Sequence, residues 1–183
     1  GGQWQHALSL LSELSLESEC DLVSYVACMS ACGRGGQWQH AMLLLCMLRE
    51  SKLEANTICY NAGIAACGEC WRWQHAFGLL SELLEAELEP DVISYTGAIS
   101  AVGSSGIIGS RGVVWRQVVA MFGEMREVSI EPNTMSYTAG LMACGKPWEV
   151  NALLNEMREI NMEPNVRSYS AAIRVCVKGE FWE

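Results

Sequence analysis

Nine cysteines and three histidines are the most easily recognised chemical groups of this 183-residue chain. Cys67-Gly-Glu-Cys70 has the Cys-x-x-Cys spacing that suits a pair of metal ligands or a redox-active dithiol. No second Cys-x-x-Cys pair and no histidine pair at zinc-site spacing accompanies it, so packing is favoured over metal or redox chemistry. The odd number of cysteines does not indicate a disulfide framework, which favours a reducing compartment.

These residues recur at fixed places in a repeat. Four cysteines stand seven residues after a tyrosine: Cys32, Cys67, Cys144 and Cys176. Val102 takes that place in the remaining unit, and a thiol that exchanges with valine behaves as a small buried hydrophobe. The three histidines each precede an alanine in one phrase: His6, His40 and His75. Identical placement predicts a structural or solvent-facing role rather than catalysis.

The chemistry of catalysis is otherwise missing from the sequence. It contains no nucleophile with a base and an orienting group, no phosphate-binding loop and no carboxylate cluster at metal-ligand spacing. We therefore expect that the chain is not an enzyme and that it uses no cofactor and no metal.

Composition narrows the class of protein. Apolar residues make up 50% of the chain and charged residues 18%, which excludes a disordered segment. No apolar run reaches the roughly 18 residues that a membrane span requires, so no membrane partner is expected. The net charge of −9 argues against a broad basic surface, although a locally basic groove is compatible with it.

A tyrosine marks each unit of the repeat. Tyr25, Tyr60 and Tyr95 are 35 residues apart, and Tyr137 and Tyr169 follow at intervals of 42 and 32. Each tyrosine follows a serine or a cysteine and opens a run of small residues. Self-similarity at this period indicates a solenoid, in which each unit stacks on its neighbours.

One unit, 57–91, shows the elements that position these residues. Its first half has small residues at helical spacing from Ile58 to Cys67, and Gly68 is expected to end that helix. Its second half, Trp73 to Ala86, carries one apolar stripe: Trp73, Ala76, Leu79, Leu80, Leu83 and Leu84. Pro90 prevents continuation of the second helix. Two antiparallel helices joined by a short turn are predicted.

The same reading divides the whole chain into one repeat array, 1–183. The units are 1–21 (partial), 22–56, 57–91, 92–133, 134–165 and 166–183 (partial). Unit 92–133 has a Gly- and Ser-rich loop insertion at Ser104–Ser110, and unit 134–165 is three residues shorter near Lys146 and Pro147. The chain begins without methionine and ends partway through a unit, so we expect it to be a piece of a longer protein.

The repeat resembles the pentatricopeptide repeat family, in its P-type-like tandem form. The resemblance rests on the 35-residue period, the tyrosine that opens the first helix, and a close such as Phe122-Gly-Glu-Met-Arg-Glu-Val-Ser-Ile-Glu-Pro-Asn133. The 34-residue tetratricopeptide repeat has a differently placed Trp, Leu, Gly and Tyr set and fits less well. The resemblance implies an all-α fold, a right-handed α-solenoid of tandem helix-turn-helix units.

The resemblance also implies binding of single-stranded RNA at one base per repeat. The residue after each tyrosine and the last residue of the unit are then the base-reading pair: Val26 with Asn56, Asn61 with Asp91, Thr96 with Asn133, Thr138 with Asn165, and Ser170 in an unfinished pair. The family's correspondence assigns uracil to Asn with Asp and adenine to Thr with Asn. Val26 departs from the pattern because it offers no hydrogen bond.

Two further sets follow from the resemblance. Base-stacking residues are expected two places before the tyrosine: Val23, Ile58, Ile93 and Met135, with Arg167 breaking the series. Phosphate-facing residues are expected near the end of the first helix: Arg34, Lys146 and Lys178. Glu69 and Ser104 at that place make the basic track patchy.

Other interpretations stay open at this stage. The residues after tyrosine can be helix caps, and the Asp and Asn after proline can be turn formers. A scaffold that binds a peptide or partner protein is the alternative function, and the acidic balance favours it. The family resemblance places the protein in RNA processing, stability or editing in a mitochondrion or chloroplast, with protein partners of an RNA-processing complex.

Overall fold

In the computed structural model, the described residues are 3–16, 21–51, 53, 55–104 and 111–178, with side chains described for all but 15, 16, 104, 111–113 and 178. These residues form ten α-helices and no strand. The helices are α1 (Gln3–Leu16), α2 (Leu22–Arg34), α3 (Trp38–Glu50), α4 (Thr57–Glu69), α5 (Trp73–Glu85), α6 (Val92–Ser104), α7 (Arg111–Glu127), α8 (Thr134–Ala143), α9 (Pro147–Glu159) and α10 (Val166–Lys178).

The helices form two layers. We call α2, α4, α6, α8 and α10 the A helices; they pack against one another in chain order and form one continuous layer. We call α1, α3, α5, α7 and α9 the B helices; each of the last four packs on the A helix before it and the A helix after it. The expected all-α solenoid is confirmed, and its core is the seam between the layers.

The A helices approach each other closely because small residues face the neighbouring backbone. A Cβ atom added to Gly33 would lie 2.7 Å from the Cα atom of Ala66 in the next A helix. One added to Gly103 would lie 3.0 Å from the carbonyl oxygen of Ala139. Glycine at these two positions therefore sets the spacing of the A layer.

The structure corrects two details of the predicted unit: the burial of one residue in α5 and the end of α4. In α5, Ala76, Leu79, Leu80 and Leu83 are buried and Trp73 is half-buried, but Leu84 is exposed. Gly68 does not end the first helix, because α4 runs to Glu69. The turn is made instead by Trp71, at φ 60°, and the next N–H, of Arg72, donates to the carbonyl of Cys67 at 2.9 Å.

Both length changes alter a helix as well as a turn. α7 has 17 residues, and Trp115 holds the place that Trp73 holds in α5, so part of the insertion adds a helical turn. Residues 105–110 of the expected loop lie outside the described residues. The shorter α8 ends at Ala143, and the buried Glu149 carboxylate accepts hydrogen bonds from the N–H groups of Gly145 (2.7 Å) and Lys146 (3.1 Å).

The Trp-Gln-His phrase joins successive B helices through side chains. The Trp4 and His40 rings have centroids 5.2 Å apart, and those of Trp38 and His75 are 4.4 Å apart. Two of the three histidines thus pack on a tryptophan of the preceding B helix, which accounts for the recurrence of the phrase.

Ion pairs also connect neighbouring B helices. Arg49 Nη1 lies 2.8 Å from Glu82 Oε2. The corresponding Arg126 and Glu156 form an ion pair, and the hydroxyl of Tyr137 donates to Glu156 Oε1 at 2.9 Å. Among the described residues, no helix combines the length and apolar character that a bilayer crossing requires.

Candidate nucleic-acid interface

A row of exposed apolar side chains runs along the A layer. Each stands at the second residue of an A helix, and each is between 62% and 71% exposed: Val23, Ile58, Ile93 and Met135. Single exposed apolar residues are ordinary on protein surfaces. Four at one helical position, in successive units, form a stripe that is available to flat apolar ligands.

The residues after the tyrosines lie three positions further along the same helices, and therefore on the same face. Val26, Asn61 and Thr96 are half-buried, Thr138 is buried at 8% exposure, and Ser170 is exposed. They stand inside the helices, so they do not cap them. Each of α2, α4, α6 and α8 therefore carries one residue of the exposed stripe and one residue of this second set on the same face.

The Asp and Asn after the proline positions are N-caps of the following A helix. In each case Oδ1 accepts a hydrogen bond from the backbone N–H three residues on, at 2.8–3.2 Å: Asp21, Asn56, Asp91, Asn133 and Asn165. Such caps satisfy backbone donors that helix geometry leaves free. Their capping role is compatible with a further role, because a carboxylate or amide oxygen has a second lone pair and an amide has two donors.

One predicted base-reading pair is in direct contact. Asn61 Nδ2 donates to Asp91 Oδ1 at 3.1 Å across 30 residues of sequence. Burial acts to raise the pKa of Asp91, but hydrogen bonds from Ser94 and Asn61 outweigh it, so that the pKa lies below its usual range. The Asp91 carboxylate is therefore ionised at neutral pH and holds the Asn61 amide in place.

Two other pairs are joined through a serine. Ser136 Oγ lies 2.7 Å from Thr96 Oγ1 and donates to Asn133 Oδ1 at 3.1 Å. The corresponding contacts of Ser168 are 3.0 Å to Thr138 and 3.2 Å to Asn165.

Thr138 and Val26 depart from this arrangement in different ways. The Thr138 hydroxyl also donates to the carbonyl of Thr134 at 2.7 Å, which holds it closer to its own helix. Val26 makes no such link. Its unit ends at Asn56, whose Oδ1 accepts a hydrogen bond from the Cys59 thiol at 3.3 Å.

Sequence reasoning missed the serines. Ser94, Ser136 and Ser168 are fully buried, and each stands at the third residue of its A helix, directly before the tyrosine. The signal was present in the recurring Ser-Tyr phrase, but only the packing of adjacent A helices shows which side chain each serine touches.

The predicted phosphate residues fall in three different settings. Arg34 is the exposed last residue of α2. Lys146 is the residue before α9, and its Nζ lies 4.3 Å from the centroid of the Trp148 ring, an arrangement that attracts a cation. Lys178 ends α10, and its side chain lies outside the described ones.

Charge is divided between the layers. The A helices carry four basic residues, Arg34, Arg167, Arg174 and Lys178, against one acidic residue, Glu69. The glutamates Glu82, Glu124 and Glu156 all stand on B helices. The A helices are therefore more basic than the chain as a whole, although three of their four basic residues belong to α10 and the carboxylates of Asp21 and Asp91 cap α2 and α6.

Three of the four cysteines that stand seven residues after a tyrosine are packed in the core. Cys32 and Cys67 are fully buried and Cys144 is nearly so; burial raises the pKa of each thiol, to about 12 for Cys67. Cys70 Sγ lies 3.8 Å from the carbonyl oxygen of Gly33. In the described part of the chain, no three His, Cys, Asp or Glu side chains are grouped to hold a metal.

We expect thiol-modifying reagents at pH 8 to label the exposed Cys46 rapidly and Cys67 only after unfolding, because the thiolate is the reactive form. The pKa of Cys67 rises from 9.0 to about 12 on folding, so its neutral thiol stabilises the fold fully below pH 9. That contribution declines as the pH rises through about 12. Mass spectrometry after timed alkylation checks the order; rapid labelling of native Cys67 would contradict it.

The packing of the helices defines an α-solenoid, and comparison with known proteins agrees on the fold. Residues 23–53 match the family model of the PPR repeat. The fold resembles the pentatricopeptide repeat protein PPR10 bound to an 18-nucleotide psaJ RNA element, with a TM-score of 0.71 and 24% identity over 97% of this chain. The structure of the pentatricopeptide repeat protein PPR10 from maize matches with a TM-score of 0.70 and 24% identity over 99% of this chain. No curated protein sequence matches significantly.

A further similar structure is the PPR domain of Arabidopsis thaliana protein-only RNase P 1 in complex with tRNA, with a TM-score of 0.64 and 16% identity. The match covers 82% of this chain and 77% of the PPR-domain chain. The family model thus matches one repeat, and the fold of the chain is that of pentatricopeptide repeat structures. It spans only 26% of the length of the PPR10 chains.

Proposed function

We propose that this chain binds single-stranded RNA along the A layer, with one base facing each unit. The observation that carries the proposal is the exposed stripe of Val23, Ile58, Ile93 and Met135, alternating with the residues after the tyrosines. Bases have apolar faces and polar edges. A surface that offers an apolar side chain and then a polar one at each step suits both.

The charge distribution supports a nucleic acid over a protein partner. The A helices hold four basic residues and one acidic one, whereas glutamates outnumber arginines on the B helices. RNA-bound pentatricopeptide repeat structures share the fold. The basic residues are few, so affinity is expected to depend on stacking more than on phosphate contacts.

The proposed reading, from 5′ to 3′, is an unassigned base opposite Val26, uracil opposite Asn61, and adenine opposite Thr96 and Thr138. The amide of Asn61 has donor and acceptor groups that match the imide edge of uracil. Thr138 is the least exposed reading residue, so its base is expected to be the least strictly selected. The family role in mitochondrial or chloroplast RNA processing belongs to the same proposal.

Fluorescence anisotropy with short RNAs tests the proposal. An oligonucleotide containing UAA should bind more tightly than one with these three bases replaced, and a salt titration should show a log-log slope of about −0.7 per phosphate contact. Equal affinity for both oligonucleotides would remove the claim of base reading. Binding of an acidic peptide in preference to either RNA would instead favour a protein scaffold.

A further inference from the structure

The serines before Tyr95, Tyr137 and Tyr169 each contact a side chain of the preceding unit. Ser94 Oγ is 2.6 Å from Asn61 Oδ1, and Ser136 Oγ is 2.7 Å from Thr96 Oγ1. Both serines are fully buried, so neither can touch a ligand on the A layer. Their effect on a ligand must pass through Asn61 and Thr96.

One junction in the same chain lacks this contact. Cys59 stands where the other A helices have serine, and the residue of the preceding unit that it would support is Val26. Valine has no hydrogen-bonding group to orient, and the Cys59 thiol is directed to Asn56 Oδ1 at 3.3 Å. Serine therefore accompanies a polar reading residue at three junctions and is replaced where that residue is apolar.

At Asn61 the Asp91 carboxylate sets which way the amide faces, and the Ser94 hydroxyl, whose Oγ also lies 2.9 Å from Asp91 Oδ1, supports that orientation. Oδ1 accepts from the Ser94 hydroxyl at 2.6 Å while Nδ2 donates to Asp91 Oδ1 at 3.1 Å. A flipped amide would place its NH₂ against the Ser94 hydroxyl and its oxygen against the Asp91 carboxylate, losing the bond to Asp91. The unflipped amide keeps one N–H and one oxygen lone pair for a base edge.

At Thr96 the serine fixes the direction of a hydroxyl proton. Either hydroxyl can donate in the 2.7 Å contact between Ser136 and Thr96. When Ser136 gives its single proton to Asn133 Oδ1, 3.1 Å away, its oxygen accepts from Thr96. Thr96 then presents only lone pairs to the A layer. That arrangement favours a base edge with a donor, such as the amino group of adenine, over one with a carbonyl.

We propose that Ser94 and Ser136 are specificity-determining positioning residues, which set the hydrogen-bonding direction of Asn61 and Thr96 toward RNA. This inference rests on the proposed function. It adds a third, buried residue to each reading pair and predicts that base preference can be changed without altering any exposed side chain.

Ser94→Ala and Ser136→Ala test the inference in the full chain. Affinities are measured by anisotropy for four RNAs that differ only in the base facing Asn61, and for four that differ only in the base facing Thr96. Each variant should lose about tenfold of the preference at its own position, because one orienting hydrogen bond is removed, and keep the preference at the other. Unchanged ratios at both positions would overturn the inference.

Ser24→Ala is the matched control. Ser24 makes the same cap, with its N–H 2.8 Å from Asp21 Oδ1, but no reading residue contacts it among the described A helices. It should reproduce any loss of thermal stability without a change in base preference. Ser136→Thr retains the hydroxyl and should therefore keep the base preference that Ser136→Ala loses. If Ser24→Ala or Ser136→Thr lowers the preference as much as Ser136→Ala, the effect is structural and the inference fails.

A gain of preference tests the same point without removing a buried group. Val26→Asn alone should add little selectivity at the first base, since Cys59 orients an amide poorly. Val26→Asn with Cys59→Ser should add about tenfold. Equal selectivity of the single and double variants would contradict the inference. A wild-type chain without any base preference would instead contradict the proposed function.

Discussion

Replacing Ile58 and Ile93 together with alanine is expected to weaken RNA binding roughly thirtyfold and to leave stability nearly unchanged. In the proposed binding mode each side chain offers its exposed face to a base. Stacking then contributes about 1 kcal/mol per base, at the low end of the usual range, since these side chains are aliphatic. Substitution of an exposed residue usually changes the free energy of unfolding by less than about 0.5 kcal/mol. Titration of labelled RNA and a thermal melt measure the two quantities.

Leu43→Ala with Met47→Ala is the control for this prediction. Both residues are exposed and apolar, but they stand on α3, a B helix. RNA affinity should be unaffected. If the α3 variant lost as much affinity as the α4 and α6 variant, the ligand face would not be the A layer.

Gly33→Val is expected to destabilise the fold by about 3 kcal/mol. The added Cβ would lie 2.7 Å from the Cα atom of Ala66, and backbone cannot move aside as a flexible side chain can, so α2 and α4 must separate. The spacing of units along the A layer would change with it. RNA affinity should therefore fall even under conditions in which the variant is folded.

Gly78→Ala and Gly123→Ala provide matched controls on B helices. Nothing lies within 4 Å of a Cβ atom added at either position, and both are helical. Each substitution should stabilise the chain by about 0.5–1 kcal/mol through helix propensity. Chemical denaturation separates the outcomes. A Gly33→Val variant as stable as the parent would contradict the account of how the A layer is spaced.

The period was enough to predict the paired helices and their order. Tyr25, Tyr60 and Tyr95 recur at the interval of one helical hairpin, and the apolar stripe of α5 has the spacing of an amphipathic helix. These are local properties, because a helix turns at a constant angle and a glycine or proline acts on its immediate neighbours. The exposed row at the second residue of each A helix follows from the same register.

Helix ends and individual burial were less predictable. Gly68 lies inside α4 while Trp71 takes the left-handed turn, and Leu84 is exposed at the end of the predicted stripe. α7 is four residues longer than α5 and begins directly after the expected loop, Ser104–Ser110. In each case tertiary packing determines the outcome. The free-energy cost of a strained residue or an exposed leucine is smaller than the free energy that its helix gains by packing.

By itself, the sequence determined that this protein is a solenoid of two-helix units, because residues 35 apart repeat the same local chemistry. Only the tertiary structure decided which polar groups meet. Asn61 reaches Asp91 and Ser94, and Thr96 reaches Ser136, across a contact between helices about one unit apart in the chain. Hydrogen bonds depend on distances of tenths of an ångström and on direction, and these arise only when neighbouring A helices pack.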